Sequence, residues 1–320
     1  MRLWLAVALL VSALGARAQL ASPYAIDIPA WFTETFLDFP EDARDAAREG
    51  KRLMLYFGQD GCPYCKELMQ TSFTQRAIVD KTRKHFVAIA LNVWGDRETT
   101  WIDGRRMSEK ELTRALRVQF TPTLIFLDAK SAVVARLNGF YPPHRFSAAL
   151  DYAAGIAGKG LRFEDYMQAA TKEAASPKLH DEPFFLKLPV QLDRKKPVAL
   201  VFETPHCAGC DDLHRDAFKR PEVRKLLDRF DVYRLTLDDR RGAKATWAGS
   251  LRVSYSPTIV LFDGGREVFR VESYLRPFHL ASALDYVASR AYRSEPSFQR
   301  YIQARADRMR EHGQDVDLWK

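Results

Sequence analysis

Apolar and polar positions along the chain predict alternating helices and strands, and the same order occurs twice. The segment "EDARDAAREG" (41–50) predicts a short helix that stops at Gly50, a residue suited to the left-handed turn that ends helices. The apolar run Leu53–Phe57 follows; it is too short for a helix and has no polar alternation, so it predicts a buried parallel strand. Next come a helix through about residue 84 and a strand over Phe86–Asn92. A further helix starts near Ser108, where Glu111 completes a capping box. Strands at Thr123–Leu127 and Val133–Leu137 precede a last helix after Pro142 and Pro143. Strands near 198–203, 231–237, 258–262 and 267–271 repeat that order. Each copy therefore predicts an α/β fold with a mixed sheet flanked by helices.

The repetition is visible in the residues themselves. "FLDFP" (36–40) returns as "FLKLP" (185–189), "FTPTLIFLDAK" (120–130) as "YSPTIVLFDGG" (255–265), and "SAALDYAA" (147–154) as "ASALDYVA" (281–288). Pro257 lies 135 residues after Pro122, whereas Cys207 lies 145 after Cys62. The first copy thus carries about ten extra residues, within "LNVWGDRETTWIDGRRMSEKE" (91–111). The expected division is a first domain over 19–174, a linker over 175–183 and a second domain over 184–320.

Composition narrows the class. The 320 residues are 47% hydrophobic and 28% charged, which fits a globular chain of two domains. Residues 1–18 have Arg2, an apolar run from Leu3 to Leu14, and small residues at Ala16 and Ala18. This is the layout of a signal peptide cut after Ala18, which places the mature chain outside the cytosol as a secreted or periplasmic protein. The net charge of +8 is spread without a like-charged block, so no nucleic-acid partner is expected. Arg300, Arg305, Arg308 and Arg310 read as one solvated helix face.

All four cysteines fall in two C-x-x-C stretches, "CPYC" (62–65) and "CAGC" (207–210). The first cysteine of each stands where a strand ends and a helix begins. Free N–H groups and the helix dipole favour a thiolate there by up to about 2 kcal/mol. Pro63 suits a first helical turn. The arrangement predicts thiol–disulfide exchange: Cys62 or Cys207 attacks a partner disulfide, and Cys65 or Cys210, one turn on, resolves the mixed disulfide. Neither a cofactor nor a metal is then required, because the sulfur pairs carry the electrons. Competing readings are purely structural disulfides, which would close a tiny loop, and a zinc site shared by all four thiols.

Strand, C-x-x-C helix and a later "TPT" or "SPT" before a strand together make each copy resemble the thioredoxin superfamily. The first copy, through "WFTETFLDFPEDARDAAREGKRLMLYFGQDGCPYCKEL", "LNVWGDRE" and "FTPTLIFLD", looks like the SoxW-type periplasmic thioredoxins over roughly residues 30–170. The resemblance implies that Pro122 and Pro257 are cis and face the cysteines. It also implies that the backbone of Thr121 and Ser256 pairs with an extended substrate. It further implies a reductase of protein disulfides, recharged by a membrane thiol donor of the DsbD or CcdA kind. An oxidase or isomerase, and a non-enzymatic metal carrier or chaperone, are the alternatives.

Two departures stand out. The superfamily's buried aspartate, six residues before the first cysteine, is replaced by Tyr56 and Val201. Asp60, Glu67 and Glu203 are candidate substitutes, each expected on the surface or in a loop. The usual tryptophan before the first cysteine is Gly61 or His206, and a protonated His206 would stabilise the Cys207 thiolate. Trp94 and Trp101, in the extra segment, are candidates for a partner-contacting rim or for packing.

Overall fold

The computed structural model describes residues 26–170, 175–192, 195–237, 247–253, 255–314 and 316, without the side chains of 164 and 168. The expected signal peptide, 1–18, lies outside them. In the first half the elements are α1 (Phe39–Arg48), β1 (Arg52–Gly58), α2 (Pro63–Glu67), α3 (Arg76–His85), β2 (Phe86–Asn92), β3 (Glu98–Thr100), β4 (Arg106–Ser108), α4 (Glu109–Ala115), β5 (Thr123–Leu127), β6 (Val133–Asn138), α5 (Pro143–Ala153) and α6 (Phe163–Ala170). The second half has β7 (Val198–Glu203), α7 (Ala208–Arg215), α8 (Pro221–Leu227), β8 (Asp231–Thr236), α9 (Trp247–Ser250), β9 (Thr258–Asp263), β10 (Arg266–Glu272), α10 (Pro277–Ala288) and α11 (Phe298–Glu311).

Two four-stranded sheets result, ordered β2-β1-β5-β6 and β8-β7-β9-β10. In each, a central strand runs parallel to one neighbour and antiparallel to the other: Leu55 pairs with Ile89 and Ile125, Leu200 with Tyr233 and Val260. Both central strands are buried along nearly their whole length, because helices cover both faces. Separate apolar clusters fill the two sides of each sheet, so the molecule is two α/β sandwiches in tandem, as the sequence predicts.

The expected Gly50 stop and Ser108–Glu111 capping box are both present. Asp38 caps α1 by accepting from the Glu41 N–H at 3.0 Å, and Gly50 follows with φ of +68°. The Ser108 N–H donates to the Glu111 carboxylate at 2.8 Å, closing the capping box of α4.

The helix expected through residue 84 is broken. Past α2 the chain makes a π turn over Leu68–Ser72 and restarts at α3. Thr71 and Thr74 hydroxyls donate to the carbonyls of Glu67 and Gln70 at 2.7 and 2.8 Å, and the Gln75 amide donates to Thr71 at 2.9 Å. Such side-chain bonds compete with the helical ladder. The break seats Phe73 edge-on against Trp31, Phe32 and Phe146.

The extra segment of the first copy folds as the β3–β4 hairpin, with Thr99 opposite Met107. It is fastened by Glu109, which accepts from Arg97 at 2.7 Å and from the Asn92 N–H at 3.0 Å. A side chain on Gly95 would collide with that carboxylate, which explains the glycine. The segment expected as a linker is fastened to the second domain: the Ser176 carbonyl accepts from the His206 N–H at 2.7 Å, and His180 Nε2 lies 2.6 Å from Asp211. Among the described residues, no helix is long and apolar enough to cross a membrane.

Candidate active site

Each C-x-x-C stretch lies at the carboxyl end of a central strand, where the chain turns into a helix. Cys62 is the N-cap of α2 and Cys207 of α7. Both first sulfurs accept from the backbone N–H of the second cysteine, Cys65 or Cys210, at 3.1 Å. Each pair is joined as a disulfide within its own motif, with Cα atoms 5.3 and 5.2 Å apart. Pro63 fills the first helical position, where its missing N–H costs no bond. The left-handed backbone before each pair falls on Gly61 (φ +77°) and on His206 (φ +58°).

The Thr121–Pro122 and Ser256–Pro257 peptide bonds are cis, and each precedes a strand adjacent to the central one. In the first domain Cys62 Sγ lies 3.2 Å from both the carbonyl oxygen and the hydroxyl of Thr121. In the second, a methyl on Gly209 would sit 2.9 Å from Cδ of Pro257, so the glycine between the cysteines lets the proline ring press on the motif. Ser256 turns its hydroxyl to Thr204, 2.8 Å away. The structure thus gathers Cys62, Cys65, Thr121 and Pro122 in one place, and Cys207, Cys210, Ser256 and Pro257 in another. The backbone N–H of Thr121 has no hydrogen-bond partner among the described residues.

The candidate substitutes for the missing aspartate behave differently from one another. Asp60 stays at the surface and accepts from the Ile26 N–H at 2.9 Å. Glu67 is half-buried beside Arg276, 3.3 Å away; burial raises its pKa and the guanidinium opposes that rise. Glu203, expected on the surface or in a loop, ends strand β7 and is 1% exposed, because it packs against helix α7. Its carboxylate lies 2.8 Å from His214 Nε2, and the other ring nitrogen lies 3.2 Å from Glu182. Burial works to raise the pKa of Glu182, but hydrogen bonds from Lys219 and His214 hold it below the usual carboxylate value. At the aspartate position itself, Tyr56 buries a hydroxyl that has no partner among the described residues, and burial pushes its pKa up.

The two tryptophans divide. Trp101, 6% exposed, packs edge-on against Phe39 in the core, while Trp94, 40% exposed, overlooks Cys62 and donates its indole N–H to Gln59. Three of the four arginines of α11 are engaged by neighbours. Arg300 pairs with Glu295 at 2.9 Å and Arg310 with Asp307 at 2.9 Å. Arg305 joins Glu222 and lies over the Phe278 ring.

Sequence reasoning missed the residues that bring the two sites face to face. Tyr64, between the first pair of cysteines, reaches into the second domain: its hydroxyl accepts from the Arg276 N–H at 3.1 Å, and its ring lies 5.0 Å from that of His279. A cavity of about 750 Å³ separates Tyr64 from Ala208, Gly209 and Ser256. Aromatic residues at homologous places in the two copies, Phe120 and Tyr255, were the available signal.

Comparison with known proteins follows the same division. No curated protein sequence matches the chain. Among solved structures, it is similar to a thioredoxin-fold protein from Helicobacter pylori at 23% identity, covering 44% of this chain and 89% of that one, with a TM-score of 0.35. A Thermus thermophilus thioredoxin is 27% identical, with coverages of 38% and 92% and a TM-score of 0.30. A putative disulphide-isomerase from Bacteroides thetaiotaomicron is 24% identical, with coverages of 40% and 96% and a TM-score of 0.32. The sequence profile of the thioredoxin-like domain matches residues 39–154 and again 187–288. The chain therefore belongs to the thioredoxin-like domain family and carries that domain twice.

Proposed function

We propose that the protein is a thiol–disulfide oxidoreductase that reduces protein disulfides through its two C-x-x-C sites. One observation carries this reading: in both domains the first cysteine sulfur sits at a helix entrance and accepts the second cysteine's N–H at 3.1 Å. That setting stabilises a sulfur anion, which is both the attacking group and the leaving group of exchange. In the reducing direction, a reduced Cys62 or Cys207 attacks a substrate disulfide. Cys65 or Cys210 then closes the intramolecular disulfide and releases the substrate as a dithiol. Thr121 and Ser256 offer backbone groups beside the sulfurs on which an extended segment can lie as an added strand. The sulfur pairs themselves carry the electrons, without a cofactor.

The SoxW-type likeness of the first copy supports the reducing direction and an extracytoplasmic setting. There, a membrane thiol donor of the DsbD or CcdA kind would restore the dithiols. The test of direction is the reduction potential of each pair. Values near about −270 mV support a reductase, and values between about −120 and −180 mV support an oxidase or isomerase. The test of chemistry is a disulfide-reduction assay on Cys62→Ser, Cys207→Ser and the double variant. The double variant should be inactive; retained reduction would remove both cysteines from the reaction, and a native chain that reduces no disulfide would leave only a binding module.

A further inference from the structure

The two domains pack through the very loops that flank their cis prolines. Phe120, two residues before Pro122, lies 5.3 Å from the Phe269 ring and 5.6 Å from that of Phe298 in the second domain. Its counterpart Tyr255, two before Pro257, lies 4.8 Å from the Tyr141 ring of the first domain, under the Arg145 guanidinium at 4.4 Å. Tyr255 is buried in the apolar core of the first domain, and Phe120 packs against that of the second. The Gln119 carbonyl, next in line before Phe120, accepts from Gln299 on α11 at 2.9 Å, and Gln299 in turn accepts from Gln59 at 2.8 Å. A roof made of the other domain therefore stands over the face on which a client would lie.

What remains open above Cys62 is a cleft of about 570 Å³. Its floor is Cys62 and Thr121, and its walls include Trp94 on one side and Phe298 and Ile302 of α11 on the other. That volume is the scale of a small-ligand site. A folded protein docks through a patch of about 800 Å² per partner, which this cleft cannot present. Cys62 itself is 2% exposed. An extended chain needs only the width of one strand, and here it would find a Thr121 N–H with no partner among the described residues, walls that include Trp94, Phe298 and Ile302, and the sulfur at the floor.

We propose that the second domain acts as a size filter over the first cysteine pair, admitting disulfides on slender, unfolded peptide segments and excluding those on folded surfaces. This deepens the reading above and rests on it. In the step itself, the Cys62 thiolate attacks one sulfur of the peptide disulfide, forming a Cys62–peptide disulfide and releasing one peptide thiolate. The Cys65 thiolate then attacks Cys62 Sγ and releases the second peptide thiolate. Two electrons pass from the cysteine pair to the peptide disulfide, and the two peptide thiolates take up the protons given up by Cys62 and Cys65.

The test is a single-turnover reaction of the pre-reduced full-length Cys207→Ser/Cys210→Ser chain, which leaves one active pair. Two substrates are compared: a disulfide-linked dimer of a ten-residue cysteinyl peptide, and a folded carrier domain that displays a solvent-exposed disulfide. The expected second-order rate constant is at least 100-fold larger for the peptide. Gln299→Ala, which loosens the roof, should narrow that ratio at least threefold. Ile302→Trp, which narrows the cleft, should slow the peptide at least tenfold more than it slows 2-hydroxyethyl disulfide. Equal rate constants for peptide and carrier overturn the size filter and leave exchange standing. No reaction with the peptide or with 2-hydroxyethyl disulfide overturns exchange, and the filter with it.

Discussion

Glu203 and His214 make a buried acid–imidazole pair on the strand and helix that bracket Cys207. One carboxylate oxygen of Glu203 is buried without a hydrogen-bond partner among the described residues. Removing the whole carboxylate would leave His214 Nε2 unpaired in a dry site, so Glu203→Ala should lower stability by about 1–3 kcal/mol. Glu203→Gln should cost less; urea denaturation midpoints of the two variants check the order. His279 offers a pH-dependent contribution at the domain interface. Burial first, and neighbouring Arg276 second, hold its imidazole down at about 3, against an ordinary value of 6.5. The folded chain thus keeps His279 neutral where the unfolded chain protonates it. The stability it contributes is full above about pH 6.5 and is lost as pH falls toward 3. The melting temperature of the native chain should accordingly fall more steeply between pH 6.5 and 4 than that of His279→Phe.

At the scale of elements, short-range chemistry was well written in the sequence. The capping box of α4 was legible because Ser108 and Glu111 are three residues apart and need no distant partner. Ser108→Ala should cost about 1 kcal/mol in a thermal melt. The break between α2 and α3 was not legible, although its agents Thr71, Thr74 and Gln75 are all local. Their hydroxyls and amide interrupt the ladder only because Phe73 has an aromatic nest to enter. The turn between the second pair of cysteines is equally constrained. Gly209→Ala would force Pro257 aside and should slow exchange at Cys207 roughly tenfold or more. The readout is the alkylation and exchange rate of that pair in a Cys62→Ser/Cys65→Ser background.

At the scale of the whole molecule, the domains are joined by reciprocal aromatic insertion in addition to the connecting segment. Tyr255 is buried in the first domain's core, so Tyr255→Ala should remove roughly 3 kcal/mol of coupling. In scanning calorimetry the native chain should melt in one transition and the variant in two. The β6 and β10 ends also meet: Asn138 donates to Glu272 at 2.5 Å, across 134 positions of sequence. These contacts turn both cysteine sites toward the interior of the pair, and the access problem addressed by the size filter follows from that.

The sequence by itself determined the doubled fold, the strand and helix order, and the placement of all four cysteines at strand-to-helix junctions. Those features rest on local periodicity, turn chemistry and a repeat that is plain in the residues. Tertiary structure alone decided that Trp101 is core while Trp94 overlooks Cys62, that Glu203 is buried, and that Phe120 and Tyr255 exchange places across the interface. The partners in these contacts are remote in the chain; Tyr64 meets Arg276 across 212 positions and Gln59 meets Gln299 across 240. No window of residues encodes such a pairing, because burial belongs to the surface that a second folded body covers and not to the residue that it covers.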